Sequence, residues 1–509
     1  MAKLEAEQRP LARLDETSTF DGERPLARRQ WLAAAAATVA VAFDPARGAW
    51  LSAAQAHEGA ARVPDLDGEL VFDPAALEEA ADDFGHIVHR TPWAVLRAQS
   101  TRDVVRMVRF ANRHGLGICM RGQGHSTNGQ AQAEGGVVID SRTLNRIESV
   151  GAEGARVGPG VRWLDLLRAS LERGLTPPVL TDFIELSVGG TLSVGGIGGA
   201  TQHHGLQVDN VLELEVVTGS GRLVTCSPRR RRALFEAVLG GLGQLAIIVG
   251  ATLRLLPAPA SARVYQLFYT DLEAFTRDQQ RALDDGRFGY LEGQVLPLPE
   301  GGFQFLLEAA AYYTPPELPD DAALLAGLEP LNGSTVIEEY SYFDWQNRLA
   351  PLVESLRASG AWDLPHPWLN LFLPASSADA FISSALAGLR PEDTGGGPIL
   401  CYPFRRSELT RQLVAIPDSD VVVIFGLLRF AAPDPALVQS LLEQNRALFE
   451  IARAQGGKRY PIGSVAFSPA DWAEHFGACF PALVALRGRF DPNGVLTPGQ
   501  QIFQRGDSP

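Results

Sequence analysis

The segment Arg121-Gly122-Gln123-Gly124-His125-Ser126 directly follows residues 117–120 (GICM), a short apolar run that reads as a β-strand. Glycine lets the main chain approach a ligand closely, and consecutive N–H groups in such a turn can bind phosphate. A histidine in a loop is more often a plain hydrogen-bonding residue than a functional one. Here, however, glycine and serine flank His125 where a backbone would contact a pyrophosphate. The segment therefore predicts a cofactor-binding loop with His125 at its functional position.

The sequence around this loop predicts an α/β unit. Residues 93–98 (WAVLRA) read as a strand, and Ser100 is a suitable N-cap for a helix that Gly115 closes. Apolar residues recur at helical spacing between these two positions. Residues 117–120 and 137–140 (VVID) then read as two more strands. Strand, helix and strand in this order are typical of an α/β domain.

Two further glycine-rich segments follow, at residues 186–199 (LSVGGTLSVGGIGG) and 240–243 (GGLG). Residues 211–218, 223–226 and 246–256 read as strands around them. None of the three glycine-rich segments has the spacing of a dinucleotide fingerprint or a P-loop. A single segment of this kind is usually only a turn, but three in one domain favour a phosphate-bearing ligand.

These features resemble the FAD-binding module of the vanillyl-alcohol-oxidase superfamily. Where relatives carry a Gly-x-Gly-His-Ser loop, the histidine commonly bonds to the 8α-methyl carbon of the flavin. The resemblance therefore implies FAD bound covalently through His125, and a neutral imidazole is a suitable nucleophile for that bond. Some relatives add a cysteinyl link from the loop at residues 184–188, which has no cysteine here. The implied flavin contacts also include Gly122, Gln123, Gly124, Ser126, Gln130, Asp182, Ser187, Ser193, Ile197, Ile248, Tyr460, Thr497 and Gln500.

The chain resembles the cytokinin dehydrogenases more specifically. Segments that match this family in order include residues 181–183 (TDF), 290–293 (YLEG), 365–372 (PHPWLNLF) and 496–500 (LTPGQ). The second and third of these are the more informative, because they lie where substrate selectivity is set. The sequence departs from the family at Gln123, where relatives often carry arginine, and at a few positions of the glycine-rich run. None of these departures removes a catalytic group.

The resemblance assigns roles to four residues. Asp182 corresponds to the catalytic aspartate, which hydrogen-bonds the exocyclic N6 amine of the substrate and helps to remove its proton. A carboxylate beside a flavin and under an apolar substrate is partly desolvated, which favours proton acceptance. Glu292 matches a substrate-side glutamate, and Trp368 and Asn370 match residues that line the substrate cavity. Without the resemblance, Asp182 reads as a surface residue after a turn and Trp368 as core packing.

The predicted reaction is flavin-dependent oxidation of the N6 side chain of an adenine-type cytokinin. Hydride passes to FAD, and the resulting imine hydrolyses to adenine and an aldehyde. A quinone-like acceptor or, more slowly, oxygen then takes the electrons. Three alternatives compete with this prediction. An oxidase of alcohols or sugars would share His125, a flavin carrier without catalysis would not need Asp182, and an interaction protein would need neither.

The predicted fold class is α+β, with a two-domain PCMH-type FAD-binding module made of two α/β subdomains. An α+β substrate-binding cap domain with an antiparallel sheet completes it. The predicted division of the chain, in order, is an export signal (1–56), a lead-in segment (57–89), the FAD-binding domain (90–257), the cap domain (258–460) and a C-terminal segment that returns to the FAD domain (461–509).

Composition narrows the possible partners. The chain has 509 residues, and its 45 basic and 59 acidic side chains give a net charge of −14, which argues against binding nucleic acid. The four cysteines are isolated, without the spacing of a zinc site or a redox motif, so no metal is predicted.

The N-terminal residues predict export. Arg28 and Arg29 precede an alanine-rich run at residues 32–43, which is shorter than the roughly 20 residues that span a bilayer. Ala54-Gln55-Ala56 then offers a cleavage site with small residues. These parts in order read as a twin-arginine signal. The alternative is an alanine-rich helix with an incidental arginine pair. We therefore expect an exported protein without stable membrane insertion.

Overall fold

Five β-sheets and a series of helices form the part of the chain that the computed structural model describes, residues 39–299 and 301–503, with only the backbone described for Pro391. In chain order the strands are β1 (Ala42–Asp44), β2 (Ala49–Leu51), β3 (Ala61–Arg62), β4 (Glu69–Val71), β5 (Ala94–Arg97), β6 (Ile118–Arg121), β7 (Val137–Asp140), β8 (Ile147–Gly151), β9 (Gly154–Val157), β10 (Leu175–Thr176), β11 (Val211–Thr218), β12 (Leu223–Cys226), β13 (Ala246–Leu253), β14 (Leu256–Pro257), β15 (Ser261–Tyr269), β16 (Tyr290–Pro297), β17 (Phe303–Tyr313), β18 (Val336–Ser341), β19 (Leu369–Pro374), β20 (Ile399–Arg405), β21 (Val421–Leu427) and β22 (Lys458–Arg459).

The helices lie between these strands and after the last of them. They are α1 (Pro74–Ala80), α2 (Thr101–His114), α3 (Trp163–Leu171), α4 (Val188–Leu192), α5 (Thr201–His204), α6 (Arg232–Val238), α7 (Leu272–Asp285), α8 (Asp321–Leu325), α9 (Tyr342–Gln346), α10 (Ala350–Ala358), α11 (Ala375–Gly388), α12 (Pro391–Thr394), α13 (Pro435–Ala454), α14 (Pro469–Phe476) and α15 (Phe480–Phe490). Within the described ranges, no helix combines the length and the apolar character needed to cross a membrane.

The α/β unit predicted around the His125 loop is confirmed. Strands β5, β7 and β6 pair in parallel, and β4 joins the β5 edge in the antiparallel sense. Helix α2 connects β5 to β6. Ser100 and Asp103 form a capping box at its start, and Gly115 ends it in the left-handed conformation with φ 65°. Because β6 ends at Arg121, the His125 loop leaves the carboxyl end of a parallel strand, where α/β proteins usually bind ligands.

The second large sheet is antiparallel, in the order β12-β11-β13-β9-β8. Strands β11 and β12 have the bounds predicted from the sequence. Strand β13 ends at Leu253, three residues earlier than predicted, because Leu256–Pro257 pairs with β10 instead. The glycine-rich run at residues 186–199 is not a loop throughout, since α4 forms within it. A Cβ atom at Gly189 would lie 2.8 Å from Pro159, so glycine allows α4 to pack this closely.

The predicted antiparallel sheet of the second domain is confirmed as eight strands in the order β18-β15-β17-β16-β20-β21-β19-β22. Successive residues of a strand point to opposite faces of a sheet. Leu291 and Leu371 point to the face that helices α7, α11 and α13 cover. Phe372 and Tyr402 point to the opposite face and share a core with Ile197 of the glycine-rich run. The second face therefore packs against the glycine-rich module.

Segments outside the two predicted domains also join this framework. Strands β1, β2 and β3 form a small sheet in which Phe43 and Trp50 are buried against Phe110 of α2. The segment 57–89, predicted to be a lead-in, contains β3, β4 and α1. At the other terminus, Leu496 pairs with Ile118, so the C-terminal segment returns to the first sheet. The predicted twin-arginine pair lies outside the described residues.

Candidate active site

The His125 loop is fixed through its carbonyl groups and keeps its N–H groups free. The carbonyl oxygens of Gly124 and Ser126 accept hydrogen bonds from the N–H groups of Phe84 and Gly85, at 2.8 and 3.2 Å. Among the described residues, none accepts a hydrogen bond from the backbone N–H groups of residues 123–126. Backbone N–H groups inside a protein rarely lack a partner. Four free donors in one turn therefore fit an anionic ligand such as a pyrophosphate.

Asp83 holds this loop in place. Its buried carboxylate accepts hydrogen bonds from the Ser126 hydroxyl at 2.9 Å, from the Gly129 N–H at 2.7 Å and from the Gly85 N–H at 3.0 Å. Burial raises the pKa of Asp83 from an ordinary value of 3.8 to about 7, although these hydrogen bonds act in the opposite direction. The conformation of the loop thus depends on a carboxyl group from the segment 57–89.

Four aromatic rings surround the imidazole of His125. Phe84 stacks on it with ring centroids 4.1 Å apart, and Phe183, Trp362 and Trp368 lie at 5.0, 6.0 and 5.6 Å. Burial lowers the pKa of His125 to about 3, so the ring is neutral at physiological pH. Within the described part of the chain, neither ring nitrogen has a hydrogen-bond partner. The ring also lines a cleft of about 940 Å³, so one nitrogen lone pair is available to a ligand.

The other two glycine-rich segments, residues 186–199 and 240–243, lie together beside this loop. The hydroxyl oxygen of Ser187 faces Gly122 and Gly190, where a Cβ atom would lie 1.9 and 2.9 Å away. The N–H of Leu242 donates to the carbonyl of Ser193 at 2.9 Å, which joins the segment 240–243 to the run 186–199. The close approach at Gly122 leaves no room for a side chain. Free N–H donors, a hydroxyl group and bare backbone together form a donor set that fits a large phosphate-bearing cofactor.

Other predicted flavin contacts join these segments to the C-terminal part of the chain. The buried amide of Gln130 faces the backbone carbonyls of residues 461–463. The Tyr460 hydroxyl accepts a hydrogen bond from the Gly196 N–H at 2.9 Å, and the Thr497 hydroxyl donates to the Gly243 carbonyl at 2.9 Å. The remaining predicted contacts are buried or half-buried: Gln123, Ser193, Ile197, Ile248 and Gln500.

Asp182 belongs to a group of five ionisable residues that we call the acidic cluster: Asp182, Tyr290, Glu292, Glu308 and Arg348. The Tyr290 hydroxyl lies 2.8 Å from Asp182 Oδ1 and also contacts Glu292 Oε2. Arg348 Nη2 donates to Asp182 at 2.9 Å and to Glu292 at 3.3 Å, and it contacts the Tyr290 oxygen. Arg348 Nε lies 3.5 Å from Glu308. The structure thus brings together Asp182 and Glu292, which the sequence separates by 110 positions.

The sheet explains why this cluster needs a cation. Glu292 on β16 and Glu308 on β17 are direct cross-strand partners, and like charges in such positions destabilise a sheet. Arg348 reaches both from the turn between α9 and α10. Its guanidinium stacks 4.4 Å from the ring of Trp345 and 4.9 Å from the ring of Tyr290. One buried positive charge therefore serves three carboxyl groups.

Counting protons assigns the ionisation states within the cluster. The Tyr290 hydroxyl has one proton and cannot donate to Asp182 and Glu292 together, so one of the two carboxyl groups must donate to the tyrosine oxygen. Burial raises the pKa of Glu292 well above its ordinary value, and the negative charge of Asp182 raises it further. The Asp182 side chain is 20% exposed and that of Glu292 is 2% exposed. Glu292 is therefore the carboxyl group of this pair that carries the proton.

Trp368 and Asn370 lie across the same sheet from the acidic cluster. Strand register places Asn370 in one cross-strand row with Gln294, two residues from Glu292 on the same face. Three strand intervals separate β16 from β19, or roughly 14 Å. Asn370 Nδ2 and Trp368 Nε1 are buried donors without a partner in the described part of the chain. The second face of the sheet thus carries the acidic cluster at β16 and β17, and the unpartnered donors of Trp368 and Asn370 at β19.

Similarity to known proteins identifies the family of this chain. A family model described as "Cytokinin dehydrogenase 1, FAD and cytokinin binding" matches residues 296–503, and one described as "FAD binding domain" matches residues 92–227. Cytokinin dehydrogenase 10 of Oryza sativa subsp. japonica is 36% identical, over 86% of this chain and 89% of that protein. Cytokinin dehydrogenase 4 of Arabidopsis thaliana is also 36% identical, over 86% and 93%. The chain belongs to the cytokinin dehydrogenase family.

This member of the cytokinin dehydrogenase family is also similar to an uncharacterized oxidoreductase and to a solved structure. The uncharacterized oxidoreductase ORF5 of the fasciation locus in Rhodococcoides fascians is 40% identical, over 86% of this chain and 99% of that protein. The crystal structure of 6-hydroxy-D-nicotine oxidase from Arthrobacter nicotinovorans has a TM-score of 0.67 and covers 85% of this chain and 96% of its own, at 22% identity. The latter similarity concerns the fold alone, and the FAD-binding domain is identified by the family model over residues 92–227. The protein is an FAD-dependent oxidoreductase, and its donor set fits that cofactor.

Sequence reasoning missed several residues of this cytokinin dehydrogenase site, among them Asp83, Phe84, Tyr290, Glu308, Arg348 and Trp362. A signal existed for Tyr290, because it stands two positions before Glu292 on a strand and therefore shares its face. The others offered no comparable signal. Asp83 and Phe84 lie in the predicted lead-in, and Arg348 lies in a turn that no motif marks.

We predict that Asp83→Asn changes how stability depends on pH. Because the folded pKa of about 7 exceeds the ordinary 3.8, this group stabilises the fold fully below pH 4, and the contribution is lost as the pH rises through 7. The full range amounts to at most on the order of 4 kcal/mol. Urea unfolding of the FAD-loaded protein between pH 4 and 8 should give a flatter profile for Asp83→Asn. At pH 7 the substitution should weaken the hydrogen bonds of residue 83 with Ser126 and Gly129, and the free energy of unfolding should fall by about 1–3 kcal/mol.

Glu79→Gln is the matched control, because Glu79 lines the same cleft with a side chain that is 53% exposed. Its profile should follow that of the wild type. If Asp83→Asn also follows the wild type between pH 4 and 8, the assignment of a raised pKa to Asp83 is wrong.

Proposed function

We propose that this protein oxidises the N6 side chain of an adenine-type cytokinin with an FAD covalently bound to His125. The observation that carries the proposal is the acidic cluster, in which Asp182 and Glu292 share contacts with Tyr290 and Arg348 beside the glycine-rich module. The names of the relatives support the class of substrate, and the unused donors of Trp368 and Asn370 suit a base with several ring nitrogens.

The residues divide the chemistry between them. Asp182 accepts the proton of the N6–H group, because it is the ionised carboxyl of the cluster and the more exposed one. Glu292 presents a neutral carboxyl group on the substrate side. Trp368 packs against the apolar part of the substrate, and Asn370 donates a hydrogen bond to the ring. All four act on the substrate without a metal ion.

The loop at residues 121–126 would hold FAD, which when bound would supply the oxidising power as an acceptor for a hydride from the carbon attached to N6. Loss of that hydride together with the N6 proton leaves a C=N bond in the substrate. Addition of water to this imine gives adenine and an aldehyde. A quinone-like acceptor or, more slowly, oxygen removes the two electrons and completes the cycle.

The surroundings of His125 support a covalent bond to the flavin. The ring is neutral, both of its nitrogens are free of protein partners, and Phe84 fixes its orientation by stacking. A nucleophile needs an unprotonated lone pair, which burial provides here across the physiological pH range. A histidine held for a structural purpose would ordinarily use its ring nitrogens in hydrogen bonds.

We predict that the flavin stays with the polypeptide after acid precipitation of the wild-type protein. The pellet should be yellow and the supernatant colourless. His125→Ala should still bind FAD through the loop N–H groups, but acid should release the flavin into the supernatant. His89→Ala serves as the control, because His89 lines the same cleft with an exposed side chain and should keep the wild-type behaviour. A white wild-type pellet under a yellow supernatant would refute the covalent bond.

We predict that isopentenyladenine reduces the flavin without oxygen and releases adenine. Asp182→Asn should retain the flavin but slow this reduction by roughly 10² to 10⁴-fold, which is the usual effect of removing a general base. Trp368→Ala should mainly weaken substrate binding, because it removes contacts present before and during the reaction. Rapid-mixing absorbance separates rate from affinity.

Asp363→Asn is the control for Asp182→Asn, since Asp363 is exposed and lies outside the acidic cluster. An Asp182→Asn variant that is reduced at the wild-type rate would exclude Asp182 as the base. A wild-type enzyme that an alditol or a benzylic alcohol reduces, and that no N6-substituted adenine reduces, would instead establish the alternative oxidase.

We also propose export through a twin-arginine signal that ends near Ala56. Ala54-Gln55-Ala56 lies on an exposed turn, which supports access for a peptidase. Cleavage there would remove β1 and β2, and with them the buried side chains of Phe43 and Trp50. N-terminal sequencing of exported protein should begin near His57, and Arg28→Lys with Arg29→Lys should keep the protein in the cytoplasm. Exported protein that begins at Met1 or Ala2 would refute the signal.

A further inference from the structure

The proposed mechanism gives Arg348 no direct role, yet this residue has the most contacts in the acidic cluster. Its guanidinium reaches Asp182, Tyr290 and Glu292 through Nη2 and approaches Glu308 through Nε. It is largely buried, with 13% of its side chain exposed. No other arginine or lysine forms an ion pair with these carboxyl groups in the described ranges.

We propose that Arg348 is a positioning residue that keeps Asp182 ionised and leaves the shared proton of the cluster on Glu292. The inference rests on the proposed function, because it concerns the state of the proposed base. Arg348 itself transfers no proton and touches no reacting atom. Its effect passes through the carboxylate of Asp182.

The geometry explains why the negative charge settles on Asp182. Arg348 Nη2 is closer to Asp182, at 2.9 Å, than to Glu292, at 3.3 Å. The attraction between opposite charges grows as distance and dielectric fall, so a short contact in a buried site favours the nearer carboxylate. Asp182 also retains more contact with solvent, which further lowers the penalty for its charge.

The other groups that face the cluster cannot replace this cation. Gln266 of β15 hydrogen-bonds Glu308 but is neutral. Tyr312 of β17, Tyr340 of β18 and Tyr402 of β20 face the cluster as hydroxyl groups. Burial raises the pKa of Tyr312 and Tyr402 above the ordinary value, and a hydrogen bond to a glutamate raises that of Tyr340 to about 12. They remain uncharged at neutral pH.

Removal of the guanidinium should therefore add a proton to the cluster. The carboxyl groups of Asp182 and Glu308 would then lie beside the protonated Glu292 without a cation, and proximity of like charges favours protonation. Once Asp182 binds that proton, it can no longer accept one from the substrate. Raising the pH should remove the proton and restore the base. A purely structural role for Arg348 predicts no such recovery.

The test compares pH profiles of flavin reduction by isopentenyladenine in the holoenzyme. We expect the midpoint of the acid limb for Arg348→Met to move upwards by roughly one to three pH units, the usual influence of one nearby charge. The maximal rate at high pH should approach that of the wild type. Arg348→Lys should shift the midpoint less, because it keeps the charge and loses only the planar fork.

Two further variants separate charge from folding. Arg348→Met combined with Glu308→Gln removes one positive and one negative charge, and it should move the midpoint back towards the wild type. This double variant also provides a folded protein if Arg348→Met does not fold. Arg263→Met is the matched control, since Arg263 lies on β15 of the same sheet and pairs with Asp321 of α8 and Glu339 of β18, outside the cluster. Its midpoint should not move.

Infrared difference titration of the resting holoenzyme gives a second readout that needs no substrate. Wild-type protein should show a protonated carboxyl band at neutral pH that Glu292→Gln removes. Arg348→Met, or failing that the double variant, should show an additional or enlarged band that Asp182→Asn removes. Unchanged midpoints and unchanged bands in the Arg348 variants, with a reactive wild type, would overturn this inference. A wild type that no N6-substituted adenine reduces would overturn the proposed function instead.

Discussion

The guanidinium of Arg348 compensates three carboxyl groups at the place where the eight-stranded sheet meets the glycine-rich run. The sheet puts Glu292 and Glu308 opposite each other on its inner face, and the loop after residue 180 adds Asp182. Burial of several like charges is strongly unfavourable unless a cation or protons balance them. The positive charge of Arg348 neutralises part of this negative charge, and protonation of Glu292 removes another part. Because Asp182 and Glu292 are neutralised in different ways, they are proposed to have opposite roles, although both are carboxyl groups: Asp182 as a base and Glu292 as an acid.

The position of this cluster follows from strand alternation. Residues of one parity along β16, β19, β20 and β21 face helices, and residues of the other parity face the glycine-rich module. The glycine-rich run can approach that second face closely at its glycine positions, where no side chain intervenes. A Cβ atom at Gly199 would lie 2.5 Å from the ring of Tyr290, for example. The absence of side chains on one partner thus allows Tyr290 to stand between Asp182 and Glu292.

Much of the framework could be predicted from the sequence because its signals are local. The Ser100 cap, the Gly115 end and the alternating residues of β11 each reflect a few neighbouring positions, and the structure confirms them. The family resemblance supplied Asp182 and Glu292. Arg348 and Asp83 could not be predicted, because their importance depends on contacts over more than forty positions. An arginine in a turn and an aspartate in a polar segment are ordinary until the fold buries them.

Asp83 and Arg348 follow the same physical rule with opposite charges, because each buried charge collects hydrogen-bonding or ionic partners of opposite polarity. At the His125 loop, a buried anion gathers N–H and hydroxyl donors from the chain, while the N–H groups of residues 123–126 have no hydrogen-bond partner among the described residues. At the acidic cluster, a buried cation gathers three carboxyl groups. Since FAD binds the folded chain, FAD loading should stabilise the fold by mass action. Residues 83–85 link the two sites, because Gly85 contacts Asp83 and also accepts the N–H of His366, two residues before Trp368. The loop proposed to hold the cofactor and the strand proposed to line the substrate side are therefore fixed by one short segment.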